Sequence, residues 1–347
     1  MERYRVGIVG ATGLVGQRLV QRLEGHPWFD LVAVAASERS AGKTYAEATT
    51  WRLPTPMPSA VAGLRVGRCV PGDLDGCDVV LSGLDAATAK EVEPALAAHG
   101  IAVLSNASAF RMTPDVPLLV PEVNAAHASL VDAQRRRTGW PGFLATNPNC
   151  SATGLVLALA PLHREFGVKR VIVSTMQALS GAGLDGPRGL DVVDNVVPYI
   201  GGEEEKLESE IGKMLGAPIL VSAHCHRVAT IDGHLEAVSV ELERDATPEQ
   251  AVAAFASFRG DVADRGLPSS PERPIVVRSE VDRPQPRLDR DTGGGMSAVV
   301  GRVRRCPVFS LRFEVLSHNT VRGAAGATLM NAELFASLGK VPRRSGR

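Results

Sequence analysis

Four glycines at positions 7, 10, 13 and 16 constrain the fold of this chain more than any other feature. Residues 5–10 are predicted to form a short buried strand, and residues 14–23 to form the helix after it. Glycine lets the backbone turn tightly and approach a pyrophosphate, which then lies on the helix N-terminus. The alternative is a glycine-rich turn that binds no ligand. If the pattern is a variant of the dinucleotide fingerprint, the predicted cofactor contacts are Gly10, Thr12, Gly13, Leu14, Val15 and Gly16.

Strands and helices alternate through the first half of the chain. A second strand is predicted at 31–36, a third at 78–85, a helix at 86–98 and a further strand at 101–105. Alternation at this spacing predicts an α/β fold with a Rossmann-type, doubly wound parallel sheet.

The second half is richer in strands, and its few helices predict an α+β domain. The predicted strands there are 169–176, 235–242, 275–278, 297–304 and 308–315. A last helix, from about residue 319 to 338, is expected to return to the first domain. We therefore expect a dinucleotide-binding domain at 1–148 and 319–347, and a second domain at 149–318.

The turn after the second strand bears on the choice of dinucleotide. In NAD-binding sheets an acidic residue near this point holds the ribose hydroxyls, whereas an arginine accommodates a 2′-phosphate. Glu38 and Arg39 are neighbours here, so the pattern admits either cofactor. Ser37, Arg39 and Ser40 make a better phosphate cradle than a ribose clamp, which favours NADP. The alternative is that Arg39 is a solvated loop charge.

Cys150 opens the first predicted helix of the second half. It follows a turn with Pro148 and Asn149 and precedes an apolar series at helical spacing. The unpaired N–H groups and the positive dipole end of a helix N-terminus stabilise a thiolate and lower the pKa of the thiol. The same N–H groups could hold an oxyanion after attack on a carbonyl. We predict a nucleophilic cysteine, and the alternative is a buried, inert one.

Other polar residues lie where ligands of such sheets bind, or together on one helix face. Arg111 follows the strand at 101–105 and could bind a phosphate or carboxylate through two N–H groups. The turn with Ser180 and Gly181 is expected to pass close to cofactor and substrate. Glu203 and Lys206 share a helix face. The alternative interpretations are that the charged residues are exposed surface charges and that the turn is a loop without a ligand.

The segment 224–234 is dense in polar groups. Arg227 is predicted to be an anion clamp and His234 an acid–base group, although a structural histidine is a common alternative. His224 and His226 are expected to point to opposite faces of a strand, with no second cluster of ligands, so no metal site is predicted. Asn319 is expected near the nicotinamide.

Charge and composition exclude several classes of partner. The chain has 38 basic and 38 acidic residues, so nothing in its charge favours binding to nucleic acid or to a membrane surface. No apolar run approaches the roughly 18 residues of a membrane span. The five cysteines are scattered without a CxxC pair, which indicates neither a disulfide framework nor a zinc site. The pattern is typical of a soluble cytoplasmic protein.

Several motifs, taken in order, resemble those of the aspartate-semialdehyde dehydrogenase family, more closely its archaeal and fungal branch. These motifs are 7–16, 39–43, 147–151, 177–183, 227–229 with 232–234, 294–296 and 300–304. The resemblance covers nearly the whole chain. It implies an NADP-dependent enzyme of amino-acid biosynthesis, a second domain used for catalysis and dimerisation, and a homodimer or homotetramer.

The resemblance also implies roles for single residues. Cys150 corresponds to the nucleophile and His234 to the acid–base histidine. Arg227 corresponds to the clamp for the substrate carboxylate. Arg111 and Lys206 correspond to the phosphate site, while Gln177 and Glu203 orient the substrate, with Glu204 open as an alternative to Glu203.

The expected reaction is reductive dephosphorylation of L-4-aspartyl phosphate to L-aspartate 4-semialdehyde through a Cys150 thioester. Malonyl-CoA reductase, which resembles the same branch, is an alternative, as is N-acetyl-glutamyl-phosphate reductase. A non-catalytic nucleotide sensor is an alternative of another class, but the set of Cys150, Arg227 and His234 argues against it.

Overall fold

The computed structural model describes residues 3–184, 186 and 189–343. The ends of the expected first domain, 1–2 and 344–347, lie outside the described residues. The strands are β1 Tyr4–Val9, β2 Phe29–Ala36, β3 Val66–Arg68, β4 Val79–Ser82, β5 Ala102–Ser105, β6 Phe143–Thr146, β7 Val168–Gln177, β8 Leu220–Arg227, β9 His234–Leu242, β10 Ile275–Val277, β11 Ala298–Arg305 and β12 Leu311–Ser317. The α-helices are α1 Leu14–Leu23, α2 Tyr45–Ala48, α3 Ser59–Ala62, α4 Ala86–Ala98, α5 Pro121–Asn124, α6 Leu130–Thr138, α7 Cys150–Phe166, α8 Gly189–Val192, α9 Glu203–Leu215, α10 Pro248–Ser257, α11 Pro286–Asp289 and α12 Gly326–Ser337.

The first sheet has the strand order β3-β2-β1-β4-β5-β6, and every pairing in it is parallel. Its central strands are buried along their length because helices cover both faces, as their continuous apolar sequences require. The order reverses between β1 and β4, which is where doubly wound sheets bind nucleotides. The predicted Rossmann-type sheet is confirmed.

The second sheet is mixed and has the order β10-β11-β12-β9-β7-β8. Its outer pairs β10–β11 and β7–β8 are parallel, and the inner pairs are antiparallel. Helix α7 packs its apolar residues, such as Leu155 and Leu159, against inward-facing strand residues such as Val238. The predicted α+β character is therefore confirmed.

Helix α12 returns to the first sheet, as predicted. It is buried almost all round, and the Phe335 ring lies 4.5 Å from the Phe143 ring of β6. The helix begins later than predicted, because residues Val321–Ala325 form a π-helical turn before it. The predicted strand at 308–315 likewise begins late, since a turn closed by the Cys306 N–H and the Ser310 carbonyl precedes β12.

Candidate active site

Cys150 is the first residue of α7, and Asn149 caps the helix. The Asn149 Oδ1 accepts hydrogen bonds from the Ser151 N–H at 2.9 Å and the Ala152 N–H at 3.2 Å. These amides were expected to hold an oxyanion, but the cap already occupies them. The helix start therefore positions the sulfur, and two of its amides already have an acceptor in the Asn149 side chain.

The Cys150 sulfur lies 3.3 Å from His234 Nε2. His234 is the first residue of β9 and is fully buried, and the Ala178 N–H donates to its Nδ1 at 3.0 Å. The two predicted catalytic residues are 84 positions apart in the chain, so the fold brings them together. This contact has the distance expected of a nucleophile and its partner histidine.

Burial governs the charge of this pair. Cys150 is half-buried, and desolvation, followed by the nearby Glu203 carboxylate, raises the pKa of its thiol to about 12. Burial and then Arg227 lower the pKa of His234 to about 3. The expected lowering of the thiol pKa was therefore wrong for the ligand-free chain, because desolvation outweighs the helix start, Arg111 and Arg227. Desolvation therefore favours the uncharged form of both groups in the ligand-free chain.

Arg227 ends β8 at the same edge of the second sheet. Its side chain is buried, and its Nη1 donates to the Ala178 carbonyl at 2.6 Å. The strand register places it opposite Gln177, the last residue of β7. A Cβ at Gly181 would lie 3.0 Å from Arg227 Nη1 and 3.1 Å from His234 Nε2, so the turn after β7 covers both groups.

Glu203, at the start of α9, contacts the helix cap rather than solvent. Its Oε2 accepts from the Asn149 Nδ2 at 2.7 Å, and its Oε1 accepts from the Lys206 Nζ at 2.7 Å. Gln177 donates weakly to the same carboxylate at 3.4 Å. Glu204 instead accepts from the backbone of Cys225, so Glu203 is the glutamate of the triplet that reaches the site.

Arg111 is buried and held by Glu210, a residue that the sequence did not single out. Arg111 Nη1 donates to Glu210 Oε1 at 2.9 Å, and its Nη2 donates to the Asn106 carbonyl at 2.7 Å. Glu210 Oε2 also accepts from the Asn149 N–H at 2.6 Å, so one carboxylate joins Arg111 to the start of α7. In the described part of the chain, Arg111 Nε is a buried donor without a hydrogen-bond partner.

Lys213 fixes the segment that carries Arg111. Its Nζ donates to the carbonyls of Arg111 at 2.5 Å, Thr113 at 2.8 Å and Val116 at 3.0 Å. The signal that could have revealed Glu210 and Lys213 was their spacing from Glu203 and Lys206. Residues 203, 206, 210 and 213 recur at intervals of three and four and so share one face of α9.

The predicted dinucleotide turn has the geometry that a pyrophosphate needs. Gly10 has a φ of +71°, and a Cβ there would lie 2.7 Å from the Gly83 carbonyl oxygen. A Cβ at Gly16 would lie 2.4 Å from the Gly10 oxygen, so α1 packs directly on the turn. Gly13 caps α1 without a side-chain hydrogen bond, which leaves the first amides for an anion. Thr12, Leu14 and Val15 lie in the same segment, so these residues fit an NADP pyrophosphate.

The other predicted cofactor contacts lie in two places. Ser37, Arg39 and Ser40 form the turn after β2, where the Ser40 N–H donates to the Ser37 carbonyl at 2.8 Å. Asn319 joins the two loops beside His234, because it donates to Ser180 Oγ at 2.8 Å and accepts from the Gly233 N–H at 2.8 Å. The structure therefore places Ser180 and Asn319 next to the catalytic pair.

The expectation that His224 and His226 point to opposite faces of a strand was wrong. They are two residues apart on β8 and share its more exposed face, while Cys225 between them is buried. Within the described ranges, no group of three or more His, Cys, Asp or Glu residues could hold a metal ion. None of the helices in those ranges is long and apolar enough to cross a membrane.

Comparisons with known proteins agree with this arrangement. Residues 5–131 match the family model of the semialdehyde dehydrogenase NAD-binding domain, and residues 159–322 match that of the semialdehyde dehydrogenase dimerisation domain. The aspartate-semialdehyde dehydrogenase of Archaeoglobus fulgidus is 50% identical, with 96% of this chain and 98% of that protein covered. That of Cryptococcus neoformans is 46% identical, with 98% of each covered.

A crystal structure of the Candida albicans aspartate-semialdehyde dehydrogenase with NADP has the same fold. It superposes with a TM-score of 0.90 at 39% identity and covers 98% of this chain and 100% of that one. Identity and coverage at these levels place the chain, on both sequence and structure, in the aspartate-semialdehyde dehydrogenase family.

Proposed function

We propose that this chain catalyses the reversible, NADP-dependent reductive dephosphorylation of L-4-aspartyl phosphate to L-aspartate 4-semialdehyde. The reaction belongs to the biosynthesis of lysine, threonine, methionine and isoleucine. The observation that carries the proposal is the Cys150 sulfur at 3.3 Å from His234 Nε2, at the edge of the sheet that also carries Arg227. Membership of the family supports this substrate over malonyl-CoA or N-acetyl-glutamyl phosphate.

The Cys150 sulfur attacks the acyl carbon, the C–O bond to phosphate breaks, and a thioester forms while the thiol proton leaves with the phosphate. Arg227 binds the substrate carboxylate, since its guanidinium is buried and its Nη1 is held by the Ala178 carbonyl. Gln177 and Glu203 orient the substrate from the floor of the site.

Arg111 and Lys206 bind the phosphate. Both cations are paired with glutamates in the ligand-free chain, Arg111 with Glu210 and Lys206 with Glu203. The phosphate therefore adds to a site already balanced in charge. The Nε–H of Arg111 is buried and has no hydrogen-bond partner among the described residues, so one donor of this guanidinium is left for an anion.

NADPH binds along the first sheet, with its pyrophosphate on the start of α1 and its 2′-phosphate near Arg39, and supplies the hydride when bound. We also propose the domain boundaries expected above, with 1–148 and 319–347 for the nucleotide and 149–318 for catalysis and dimerisation. Two separate sheets and the return of α12 to the first sheet support them.

We propose self-association as a homodimer or homotetramer and a cytoplasmic location. The match to a dimerisation domain supports association, as do the exposed Ile172 and Leu220 on the second sheet. A reducing cytoplasm keeps the Cys150 thiol free. Light scattering on the purified chain gives the number of subunits.

The decisive test combines substrate choice with loss of the sulfur. The purified chain should reduce NADP with aspartate semialdehyde and phosphate, and should not oxidise NADPH with malonyl-CoA. Cys150→Ala should lower kcat by about 10⁴-fold or more, while NADP binding stays within about twofold. Cys306→Ala, in the turn before β12, is the matched control and should keep full activity. Activity of Cys150→Ala near that of the wild type would refute the mechanism.

A further inference from the structure

A buried carboxyl group lies between α4 and the first sheet, away from the residues assigned to the reaction. Glu93 has no exposed surface, and the other buried residues of α4 are the apolar Ala89, Leu96 and Ala97. Burying a carboxyl group costs free energy unless the group is hydrogen-bonded, and an apolar residue would pack the helix without that cost. The contacts of Glu93 therefore indicate what it does.

Glu93 contacts the carboxyl end of β5. Its Oε1 accepts a hydrogen bond at 2.6 Å from the hydroxyl group of Ser105, the last residue of that strand. The Ser105 Oγ in turn accepts from the Ala107 N–H at 3.0 Å. A hydroxyl group has a single hydrogen, so donating it to Glu93 leaves the oxygen lone pairs for the amide. Glu93 therefore orients the hydroxyl group as an acceptor for the backbone.

The Ala107 amide belongs to the same peptide unit as the Asn106 carbonyl. A trans peptide unit is planar, so its N–H and its C=O point in opposite directions and rotate together. The Asn106 carbonyl accepts from Arg111 Nη2 at 2.7 Å. Holding the amide on one side of the plane therefore holds the carbonyl that contacts the arginine on the other side.

The Arg111 guanidinium is supported from two elements. Asn106 accepts from Nη2, and Glu210 of α9 accepts from Nη1 at 2.9 Å. The Nε–H is the buried donor that has no partner in the part of the chain that the structure describes. Because the donors of a planar guanidinium have a fixed geometry, the direction of the Nε–H depends on both supports.

We propose that Glu93 is a positioning residue for phosphate binding, which holds the Asn106–Ala107 peptide through the Ser105 hydroxyl group and thereby sets the direction of the Arg111 guanidinium. This inference rests on the proposed function, in which Arg111 binds the phosphate. Glu93 acts on the substrate only through this chain of contacts. The role requires a hydrogen-bond acceptor at Oε1 and no charge, so glutamine can replace Glu93 whereas alanine cannot.

Two substitutions at Glu93 test the need for the acceptor. Glu93→Gln keeps it, so KM for phosphate should stay within about twofold of the wild type. Glu93→Ala removes it, and we expect KM for phosphate to rise by about fivefold or more, while KM for aspartate semialdehyde and Kd for NADP change by less than about twofold. An unchanged KM for phosphate in Glu93→Ala, or an equal rise in all three constants, would overturn the proposal.

Leu96→Ala is the matched control for a loss of packing. Leu96 lies three residues after Glu93 on α4 and is fully buried, but it has no polar atom to hold the Ser105 hydroxyl group. Its truncation should lower the urea midpoint of unfolding at least as much as Glu93→Ala does, with KM for phosphate within about twofold of the wild type. If KM for phosphate rises equally in both variants, lost stability explains the effect and the proposal fails.

Ser105→Ala breaks the same chain of contacts by a smaller change, so the test does not depend on the folding of Glu93→Ala. KM for phosphate should again rise by about fivefold or more. In the Ser105→Ala background, Glu93→Ala should add less than about twofold, because both substitutions remove one chain of hydrogen bonds. A wild-type KM for phosphate in Ser105→Ala would overturn the proposal, as would fully additive losses.

Calorimetric titration with inorganic phosphate separates this inference from the proposed function. If Glu93→Ala binds phosphate about fivefold more weakly than the wild type, the inference stands even if aspartate semialdehyde is not a substrate. If the wild type turns over aspartate semialdehyde but both alanine variants bind phosphate as the wild type does, the proposed function stands and the inference fails. A wild-type chain that neither turns over aspartate semialdehyde nor binds phosphate would overturn both.

Discussion

At the scale of single residues, the most unusual side chain is Glu236, which lies two residues after His234 on the same face of β9. Glu236 is buried, and the pairing of β7 with β9 places it opposite Thr175. Among the described residues, neither of its carboxyl oxygens has a hydrogen-bond partner, nor does Ser317 Oγ nearby. Burial raises the pKa of Glu236 well above its usual value, which favours the protonated acid in the folded chain.

Glu236→Gln should alter how stability depends on pH. In the wild type the unfolded chain ionises Glu236 above its ordinary pKa of 4.5, while the folded chain keeps the proton. The free energy of unfolding therefore falls by up to about 1.4 kcal/mol per pH unit as pH rises toward the raised folded pKa. Glutamine removes this loss, so the variant should gain stability relative to the wild type as the pH rises above about 5.

Urea unfolding of the wild type and the variant at about pH 5 and at about pH 8 measures this difference. The control is Glu205→Gln, a change at an exposed glutamate of α9, which should show no such trend. A difference between wild type and Glu236→Gln that is the same at both pH values would mean that Glu236 is ionised in the folded chain.

At the scale of elements, α9 organises the site through one polar face. Glu203 and Glu210 hold Asn149, while Lys213 holds the segment of Arg111. The apolar face of the same helix, which includes Leu207, packs into the core of the second sheet. The helix therefore fixes Cys150, the proposed nucleophile, and Arg111, the proposed phosphate ligand, relative to each other.

Glu210→Gln tests this arrangement. Glutamine keeps an acceptor for the Asn149 N–H but removes the charge that holds Arg111, so the guanidinium should lose its orientation. We expect KM for phosphate to rise about tenfold, with kcat lowered less. Steady-state kinetics with aspartate semialdehyde, NADP and varied phosphate measures both constants. Glu205→Gln is the matched control on the same helix, and an unchanged KM for phosphate in Glu210→Gln would contradict the role.

At the scale of the whole molecule, a buried ion pair ties the π-helical turn to α5. Arg322 and Glu122 are fully buried and share two hydrogen bonds, at 2.7 and 2.6 Å. The turn that carries Arg322 also touches the nucleophile, since a Cβ at Gly323 would lie 2.7 Å from the Cys150 Cβ. The pair therefore joins α5 to the wall of the active site.

Glu122→Gln should destabilise the chain by about 3–5 kcal/mol, because it leaves the Arg322 charge buried without its partner. Urea unfolding monitored by circular dichroism measures the loss. Asp30→Asn, which breaks the exposed Arg3–Asp30 pair, is the control and should cost less than about 1 kcal/mol. A similar small change in both variants would mean that water or another group compensates Arg322.

Local features, which depend on residues adjacent in the chain, could be predicted from the sequence. Glycine spacing predicted the turn of the first sheet, alternation of strands and helices predicted the parallel sheet, and the turn before Cys150 predicted a helix start. The polar face of α9 could also be predicted from the spacing of residues 203, 206, 210 and 213, although only the first two were recognised. These features follow from local backbone geometry and periodicity, which adjacent residues decide.

The long-range contacts of the site, and the pKa values that follow from them, depend on the tertiary structure. Ala178 and His234 are 56 residues apart, Asn149 and Glu210 are 61 apart, and Glu122 and Arg322 are 200 apart. The sequence predicted an ionised sulfur because a helix start favours a thiolate. The fold buries that sulfur next to Glu203, and desolvation outweighs the helix start. Burial and long-range partners set the pKa of a group, and a residue's neighbours along the chain do not encode them.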